Sequence, residues 1–221
     1  RWPEDGMNTT APKVFVVDDD PSFLGSMLRL LRASGYFAQG FRSAREALEK
    51  IPTDGEGCIL VDLHMPEMGG LELQAVLAHY GNPITVVFLT GAGDIPSSVQ
   101  AMKGGAEDFL VKTAPKEEIF AAIDRALERN RRERLEVKHS RELQGKFARL
   151  TPRENEVLQY VLHGRLNKQI AFDLGIDERS VKRHRTNFMR KLEVSTVAQL
   201  VQSAIEAGVI DKAGSSHLGT G

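Results

Sequence analysis

The first half of the chain alternates between short apolar runs and segments in which apolar residues recur every three or four positions. Short apolar runs are typical of buried strands, and the longer spacing is typical of helices with one buried face. A chain that alternates strands and helices forms an open parallel sheet with helices on both faces. We therefore predict an α/β, doubly wound, five-stranded parallel sheet with strands at 14–17, 36–38, 58–61, 84–89 and 108–111.

A helical pattern that begins at Lys116 continues without Gly or Pro as far as Gly145. Its first turns carry an apolar face, whereas residues 128–134 are nearly all charged. We predict one long helix that joins two domains. Two interpretations are open for its distal part, a solvated charged helix and the seam of a coiled-coil dimer, although regular a and d positions fail in its middle.

The second half of the chain has a helical pattern throughout. Thr151 and Glu154 predict a capping box, with Pro152 at the first helical position. The short turn at 175–177 between two helical patterns is typical of a helix-turn-helix. We predict a small all-α domain of four helices, and the caps expected for the last three are Asn167, Asp177 and Ser195.

These patterns predict a first domain at 13–126, a helical linker at 127–149 and a helix-turn-helix domain at 150–211. The polar segment 1–12 is expected to be disordered or left over from expression, with Met7 as the natural start. The Gly- and Ser-rich tail at 212–221 is also expected to be disordered.

Composition excludes several classes of protein. Apolar residues make up 41% and charged residues 27% of the chain, as in soluble globular proteins, so disorder is not its main state. We expect no membrane span and no secretory signal, because no apolar run approaches the required length and no basic flank precedes one. The single cysteine, Cys58, cannot form an internal disulfide, which fits a reducing cytoplasm.

The net charge of −1 conceals two halves of opposite sign. Residues 13–125 hold 10 basic and 16 acidic residues, whereas residues 126–221 hold 18 basic and 12 acidic ones. The second half is therefore a candidate for binding a polyanion.

Carboxylates follow two of the predicted strands. Asp18, Asp19 and Asp20 come directly after the first strand, and Asp62 follows the third. The carboxyl ends of parallel strands lie at one edge of the sheet, so we expect these side chains to converge. Like charges this close repel unless a cation is present, and an all-oxygen cluster favours Mg²⁺. An alternative for Asp19 or Asp20 is to cap the helix that begins at Pro21.

Two further polar residues end strands at the same predicted edge. Thr90 ends the fourth strand and Lys112 ends the fifth. Together with the carboxylates they supply a metal site, a nucleophilic oxygen, a hydroxyl group and a cation for a phosphoryl group.

The predicted helix at 178–192 has a buried face and a basic face. Val181, Phe188 and Leu192 recur at helical spacing and are expected to face the core. The residues expected outside, or at the edge of the buried side, are Arg179, Lys182, Arg183, Arg185, Thr186 and Arg190. A basic helix face can enter the major groove of DNA. A solvated charged face is the alternative for an isolated helix, but it is disfavoured after a helix-turn-helix.

Residues 13–125 resemble the receiver domain of two-component response regulators. The motifs that carry the resemblance are at 16–20, 61–66, 89–96 and 108–112. The resemblance implies a flavodoxin-like fold in which Asp62 accepts a phosphoryl group from a sensor histidine kinase. It also implies that Asp18, Asp19, Asp62 and the backbone carbonyl of His64 hold Mg²⁺.

The same resemblance implies a switch. Thr90 and Lys112 would bind the phosphoryl oxygens, and Phe109 would follow an inward movement of Thr90. We expect phosphorylation to promote a homodimer through the surface around the fourth helix, fifth strand and fifth helix. One residue departs from the family pattern, since Thr113 stands where most receivers have Pro. We expect a trans bond or a rebuilt loop there, with Lys112 held less firmly.

Residues 150–207 resemble the LuxR/NarL-type helix-turn-helix effector. The motifs are at 150–158, 167–171 and 180–192, and Leu166 replaces the small hydroxyl residue that is usual before Asn167. The resemblance implies binding of double-stranded DNA, with Lys182 and Arg183 setting sequence choice and Lys168 contacting the backbone. RNA polymerase is a further partner that it allows.

The combination resembles a FixJ-like transcriptional regulator in the cytoplasm, controlled by phosphorylation, rather than an enzyme. A regulator of this architecture controlled without phosphorylation stays open as an alternative. A receiver fused to an enzyme is disfavoured, because the second half lacks hydrolase, phosphate-loop and zinc motifs. An RNA-binding antiterminator is disfavoured as well, since the basic helix offers no exposed aromatic residue for base stacking.

Overall fold

The computed structural model describes residues 12–91 and 95–210. The expected disorder at 1–12, apart from Pro12, and at 212–221 lies outside these ranges, as do Ala92, Gly93 and Asp94 of one motif. The chain divides into two compact units, Arg1–Leu135 and Glu136–Gly221. This division falls inside the linker predicted at 127–149. In the described ranges, no helix combines the length and the apolar character that a membrane crossing requires.

The first unit is a parallel sheet of five strands in the order β2-β1-β3-β4-β5. The strands are β1 (Lys13–Val17), β2 (Phe37–Phe41), β3 (Cys58–Asp62), β4 (Thr85–Thr90) and β5 (Asp108–Val111). The helices that alternate with them are α1 (Pro21–Ala33), α2 (Ala44–Lys50), α3 (Gly70–His79), α4 (Ile95–Lys103) and α5 (Lys116–Phe147). The predicted fold is confirmed, and the strand order reverses at β1 and β3, whose carboxyl ends are neighbours.

Two apolar cores cover the two faces of this sheet. Alternate residues of each strand point to opposite faces, so Ile59 and Val61 lie in one core and Cys58 and Leu60 in the other. Every residue of β3 is buried. Burial on both faces explains why these strands appear in the sequence as continuous apolar runs rather than as alternating patterns.

Asn130 joins α5 to the rest of the first unit. Its side-chain amide is buried, donates to the carbonyls of Gly55 and Pro83 at 2.7 and 2.8 Å, and accepts from the Gly57 amide at 3.0 Å. The charged sequence around Asn130 predicts a solvated helix surface. The structure instead places this side chain among loop backbone groups, to which it donates two hydrogen bonds and from which it accepts one.

As far as residue 210, the second unit contains the end of α5 and four further helices, α6 (Pro152–Leu162), α7 (Asn167–Leu174), α8 (Glu178–Lys191) and α9 (Val197–Glu206). The Thr151–Glu154 capping box is present in both directions, and Asp177 caps α8 as predicted. Gly175 ends α7 in the left-handed conformation that the tight turn requires, with φ 62° and ψ 36°.

Two of the predicted caps are wrong, and the structure identifies a third that the sequence left open. Asn167 is the first residue of α7 rather than its cap, which is Leu166 and has no side-chain oxygen to offer. Thr196, not Ser195, caps α9 through a bond from the Gln199 amide. At the start of α1 the capping residue is Asp20, which accepts from Ser22 and Phe23.

Candidate functional site

Three carboxylates converge at the carboxyl ends of β1 and β3. Asp18, Asp19 and Asp62 each offer an oxygen within 4.8 Å of the others, and we call this group the acidic pocket. Asp18 is 1% exposed and Asp62 is 7% exposed. Asp20 does not join the pocket, because its carboxylate caps α1. The convergence follows from the strand order, since β1 and β3 are paired along their length.

Lys112 neutralises part of this charge. Its ammonium nitrogen lies 2.6 Å from Asp18 Oδ2 and 2.8 Å from Asp62 Oδ2, and its side chain is 17% exposed. Burial alone would favour the neutral amine, but the bonds to Asp18 and Asp62 outweigh it and raise the pKa of Lys112. The expectation that Lys112 is held less firmly than beside a Pro stays a prediction. The described residues contain no cis peptide bond, as expected where Thr113 follows Lys112.

For Asp18, unlike Lys112, the effect of burial on the pKa is larger than the effect of the hydrogen bonds. Burial raises its pKa above the ordinary value, and the charge of Asp62 adds to this effect, although Lys112 and the Asp20 amide act against it. A single lysine does not balance three carboxylates, so the pocket keeps a net negative charge. Three oxygen ligands at this separation, with a net negative charge, fit a small hard cation such as Mg²⁺.

The remaining residues predicted for this site lie around the pocket. Thr90 is fully buried at the end of β4, and its carbonyl accepts from the Lys112 amide at 2.7 Å. Phe109 is partly buried and stacks on Phe88, with ring centroids 6.0 Å apart. The side chain of His64 is exposed, while its backbone amide donates to Asp62 Oδ1 at 3.4 Å.

Sequence reasoning missed one neighbour of the pocket. The ammonium nitrogen of Lys112 lies 4.6 Å from the centroid of the Phe23 ring, within the range of a cation–π contact. Phe23 is in the first turn of α1, which directly follows the carboxylates at the end of β1. A Phe three positions after a helix cap is ordinary for a core residue, so the sequence held no signal of this contact.

The second candidate site is the outer side of α8. Val181, Phe188 and Leu192 are buried, as predicted. We call the exposed basic residues of α8 and the exposed Thr186, together with Lys168 at the start of α7, the basic face. These residues are Lys168, Arg179, Lys182, Arg183, Thr186 and Arg190. Across the described ranges, none of the five cations of the basic face forms a salt bridge, and Thr186 donates to the Lys182 carbonyl at 3.0 Å.

Arg185 differs from the other candidates. It is only partly exposed, and its guanidinium donates to Asn167 Oδ1 at 2.8 Å. This bond joins the first residue of α7 to the middle of α8. Asn167 was predicted as a cap, so its contact with Arg185 could not be anticipated from capping rules.

An ion pair between a buried glutamate and a partly exposed lysine joins α6 to α8. Lys191 Nζ lies 2.6 Å from Glu154 Oε2, and Glu154 also accepts from the Thr151 amide at 2.9 Å. The sequence predicts the capping role of Glu154 but not its second role as the partner of a lysine near the end of α8.

Family models match both parts of the chain. Residues 14–124 match the response regulator receiver domain, and residues 148–204 match the bacterial regulatory proteins of the luxR family. The chain is 39% identical over 196 residues to the response regulator protein TodT of Pseudomonas putida, with 89% of this chain and 86% of TodT covered. It is 39% identical over 197 residues to the transcriptional regulatory protein FixJ of Azorhizobium caulinodans, covering 89% and 93% of the two chains.

Solved structures agree with these matches. The response regulator StyR superposes with a TM-score of 0.76 at 42% identity, covering 88% of this chain and 98% of StyR. Full-length FixJ from B. japonicum superposes with a TM-score of 0.55 at 31% identity, covering 92% and 100% of the two chains. The chain therefore belongs to the transcriptional response regulators that combine a receiver domain with a DNA-binding LuxR-type helix-turn-helix domain.

Proposed function

We propose that this chain is a transcription factor controlled by phosphorylation of Asp62. A carboxylate oxygen of Asp62 attacks the phosphoryl group of a phosphohistidine on a sensor histidine kinase. The new O–P bond forms as the P–N bond breaks, and the departing imidazole takes up a proton. The observation that carries this proposal is the position of Asp62, nearly buried, in the acidic pocket and 2.8 Å from Lys112 Nζ.

The acidic pocket and its neighbours divide the work of this transfer. Mg²⁺, when bound, supplies positive charge against the phosphoryl oxygens. Asp18, Asp19, Asp62 and the carbonyl of His64 would hold it. Lys112 and Thr90 would bind phosphoryl oxygens, a role supported by their place at the ends of β5 and β4. Phe109 would adjust its packing against Phe88 when Thr90 moves.

Receiver dimerisation is the proposed output of this switch. Apolar side chains are exposed on α4 and β5, next to the strand ends that carry Thr90 and Lys112. They are Ile95, Val99, Met102 and Val111. A second copy of the receiver is the proposed occupant of this surface. Two helix-turn-helix domains joined in this way gain affinity for a two-part operator through effective concentration.

Double-stranded DNA is the proposed ligand of the basic face. Exposed cations on a helix that follows a tight turn are suited to base edges and phosphates. We assign base reading to Lys182 and Arg183, with Arg179, Arg185, Thr186 and Arg190 beside them, and phosphate contact to Lys168. RNA polymerase is the further partner, since a regulator of transcription acts on that enzyme. The proposed site of action is the cytoplasm.

The Asp62→Asn variant tests the proposal. We expect wild-type protein with Mg²⁺ and acetyl phosphate to gain one phosphoryl group by intact mass, and the variant to gain none. Asp54→Asn, which changes an exposed acid of the same unit, is the matched control and should be phosphorylated normally. Phosphorylation of Asp62→Asn at the wild-type rate would contradict the assignment.

Operator binding and sedimentation complete the test. We expect phosphorylated wild-type protein to shift from monomer to dimer and to bind its operator more tightly, whereas Asp62→Asn does neither. A dimer already present before phosphorylation would favour the coiled-coil interpretation of α5. Unchanged mass and affinity in both states would favour the alternative regulator controlled without phosphorylation.

A further inference from the structure

Within the described residues, Lys112 is the one cation bonded to two carboxylates of the acidic pocket. Thr113 follows it, and a Thr leaves more backbone freedom than the Pro usual in this family. The ammonium group is held by Asp18 and Asp62 through its hydrogen bonds. Formation of an acyl phosphate on Asp62 would turn one of these two carboxylates into a mixed anhydride and place the negative charge on the phosphoryl oxygens instead.

The Phe23 ring is a partner that this change leaves in place. Its centroid lies 4.6 Å from Lys112 Nζ. The face of an aromatic ring attracts a cation through its quadrupole, without an acidic group that could be esterified. The contact therefore persists whichever oxygen the ammonium group binds.

The start of α1 fixes the position of this ring. Asp20 caps the helix and accepts from the Phe23 amide at 3.3 Å, and the Asp20 amide donates to Asp18 Oδ1 at 2.9 Å. The ring also packs against the apolar core between the sheet and helices α1 and α5. Phe23 and Asp18 thus belong to one short, hydrogen-bonded segment, and a group held by both keeps its place relative to the acidic pocket.

We infer that Phe23 is a positioning residue for Lys112, which it holds over the acidic pocket so that the ammonium group meets the incoming phosphoryl oxygen. This inference rests on the proposed phosphorylation of Asp62. Phe23 touches no reacting atom and acts through Lys112 alone. An aliphatic side chain at this position would fill the core but would leave the ammonium group free to sample other rotamers.

The test compares Phe23→Leu, Phe23→Tyr and Phe120→Leu in the full-length chain. Phe120 packs against the same core, and its ring centroid lies 6.0 Å from that of Tyr36, so its replacement controls for lost aromatic volume. We expect Phe23→Leu to slow phosphorylation by acetyl phosphate about 5-fold, as the loss of a partly buried cation–π contact implies. Tyr retains the ring and should restore the wild-type rate, and Phe120→Leu should not slow the reaction.

A second measurement needs no phosphoryl group. The ring should shift the Lys112 ε-methylene proton resonances upfield, and these are assigned by their loss in Lys112→Arg. Phe23→Leu should remove the shift, and Phe23→Tyr should keep it. An unchanged resonance in Phe23→Leu, equal slowing in Phe120→Leu, or no rescue by Tyr would each overturn the inference. A wild-type protein that shows the ring shift but accepts no phosphoryl group would instead overturn the proposed function and leave the position of Lys112 established.

Discussion

A lysine bonded to a buried carboxylate occurs in both domains, with opposite consequences for the acid. In the receiver domain, Lys112 is shared by Asp18 and Asp62, and burial raises the pKa of Asp18. In the helix-turn-helix domain, Lys191 has one buried partner, Glu154. Burial of Glu154 favours its neutral form, but the bonds from Lys191 and Thr151 outweigh it and lower its pKa.

The difference separates a functional site from a structural one. Glu154 and Lys191 balance each other, so the pair stabilises the fold and leaves no charge for a ligand. The acidic pocket is left with excess negative charge, which a bound cation would relieve. In the helix-turn-helix domain the charges available to a ligand are instead the exposed, unpaired cations of the basic face.

Addition of Mg²⁺ should produce the largest difference between the acidic pocket and the Glu154–Lys191 pair, because only the pocket is expected to bind the cation. At 100 times the dissociation constant, a cation bound only to the native acidic pocket stabilises the receiver domain by about 2.7 kcal/mol. Hydrogen exchange measured by mass spectrometry, which reports each domain separately, should show slower exchange in residues 13–126 and no change around Glu154.

Two variants control this prediction. Asp19→Asn removes a carboxylate of the acidic pocket and should abolish most of the Mg²⁺ response. Asp20→Asn changes the adjacent residue but keeps a good cap for α1, so its response should match that of the wild type. Equal responses in the two variants would show that the cation does not bind the acidic pocket.

Glu154→Gln should destabilise the helix-turn-helix domain by about 2 kcal/mol, because it removes a hydrogen bond between charged groups. The free energy of unfolding from urea denaturation and the exchange of amides in α6 and α8 measure this loss. Glu156→Gln breaks an exposed pair with Arg153 in the same helix and should change stability by less than about 0.5 kcal/mol. Similar losses in both variants would mean that burial of the pair has no energetic consequence.

The stabilisation by Glu154 should depend on pH with a defined sign. Its pKa is lowered in the folded domain, so its ionised form is favoured by folding. The contribution is fully present above the ordinary value near 4.5 and is lost as the pH falls through the lower, folded-state value. The difference in stability between the wild type and Glu154→Gln should therefore shrink below about pH 4.5. A difference that stays constant from pH 7 to pH 3 would contradict this assignment.

Charges of the basic face should affect DNA binding and not stability. Lys182→Ala should lower operator affinity by about 1–3 kcal/mol and relax preference at one position, whereas the free energy of unfolding stays within about 0.5 kcal/mol. Lys168→Ala should weaken binding to all sequences equally and reduce the salt slope by about one. Titrations at several salt concentrations with operator and unrelated DNA separate these effects. A uniform loss in Lys182→Ala would assign that residue to the backbone instead.

The elements that sequence alone predicts are those fixed by local rules. The five strands, the Thr151–Glu154 capping box and the left-handed Gly175 each depend on neighbouring residues, and the structure has them. Convergence of Asp18 and Asp62 was predictable as well, because strand ends of a parallel sheet share one edge. Sequence could not decide whether Asp19 or Asp20 would cap α1, since both have the same side chain and differ only in where the strand stops.

Contacts between distant segments account for what was missed. Asn130 lies in a charged stretch, and only the fold brings the Gly55 and Pro83 carbonyls to it. Phe23 follows a helix cap and resembles any core residue until β5 places Lys112 over its ring. Arg185 and Asn167 are bonded across two helices. None of these pairs has a sequence spacing that would distinguish it from chance.

The smallest effect is expected at the cap of α7, where the helix-turn-helix domain departs from its family. Leu166 is 69% exposed and provides no oxygen for the first amides of α7, although its own amide donates to Gln169 Oε1 at 2.9 Å. Leu166→Ser would complete a capping box and should stabilise the domain by about 1 kcal/mol. Leu166→Ala removes the apolar side chain without adding an oxygen and is the matched control. We expect the Ser variant alone to gain unfolding free energy and to show slower exchange of the first α7 amides. That result would show that the domain tolerates an imperfect helix cap beside its basic face. Equal stability of the two variants would show that the cap is already satisfied.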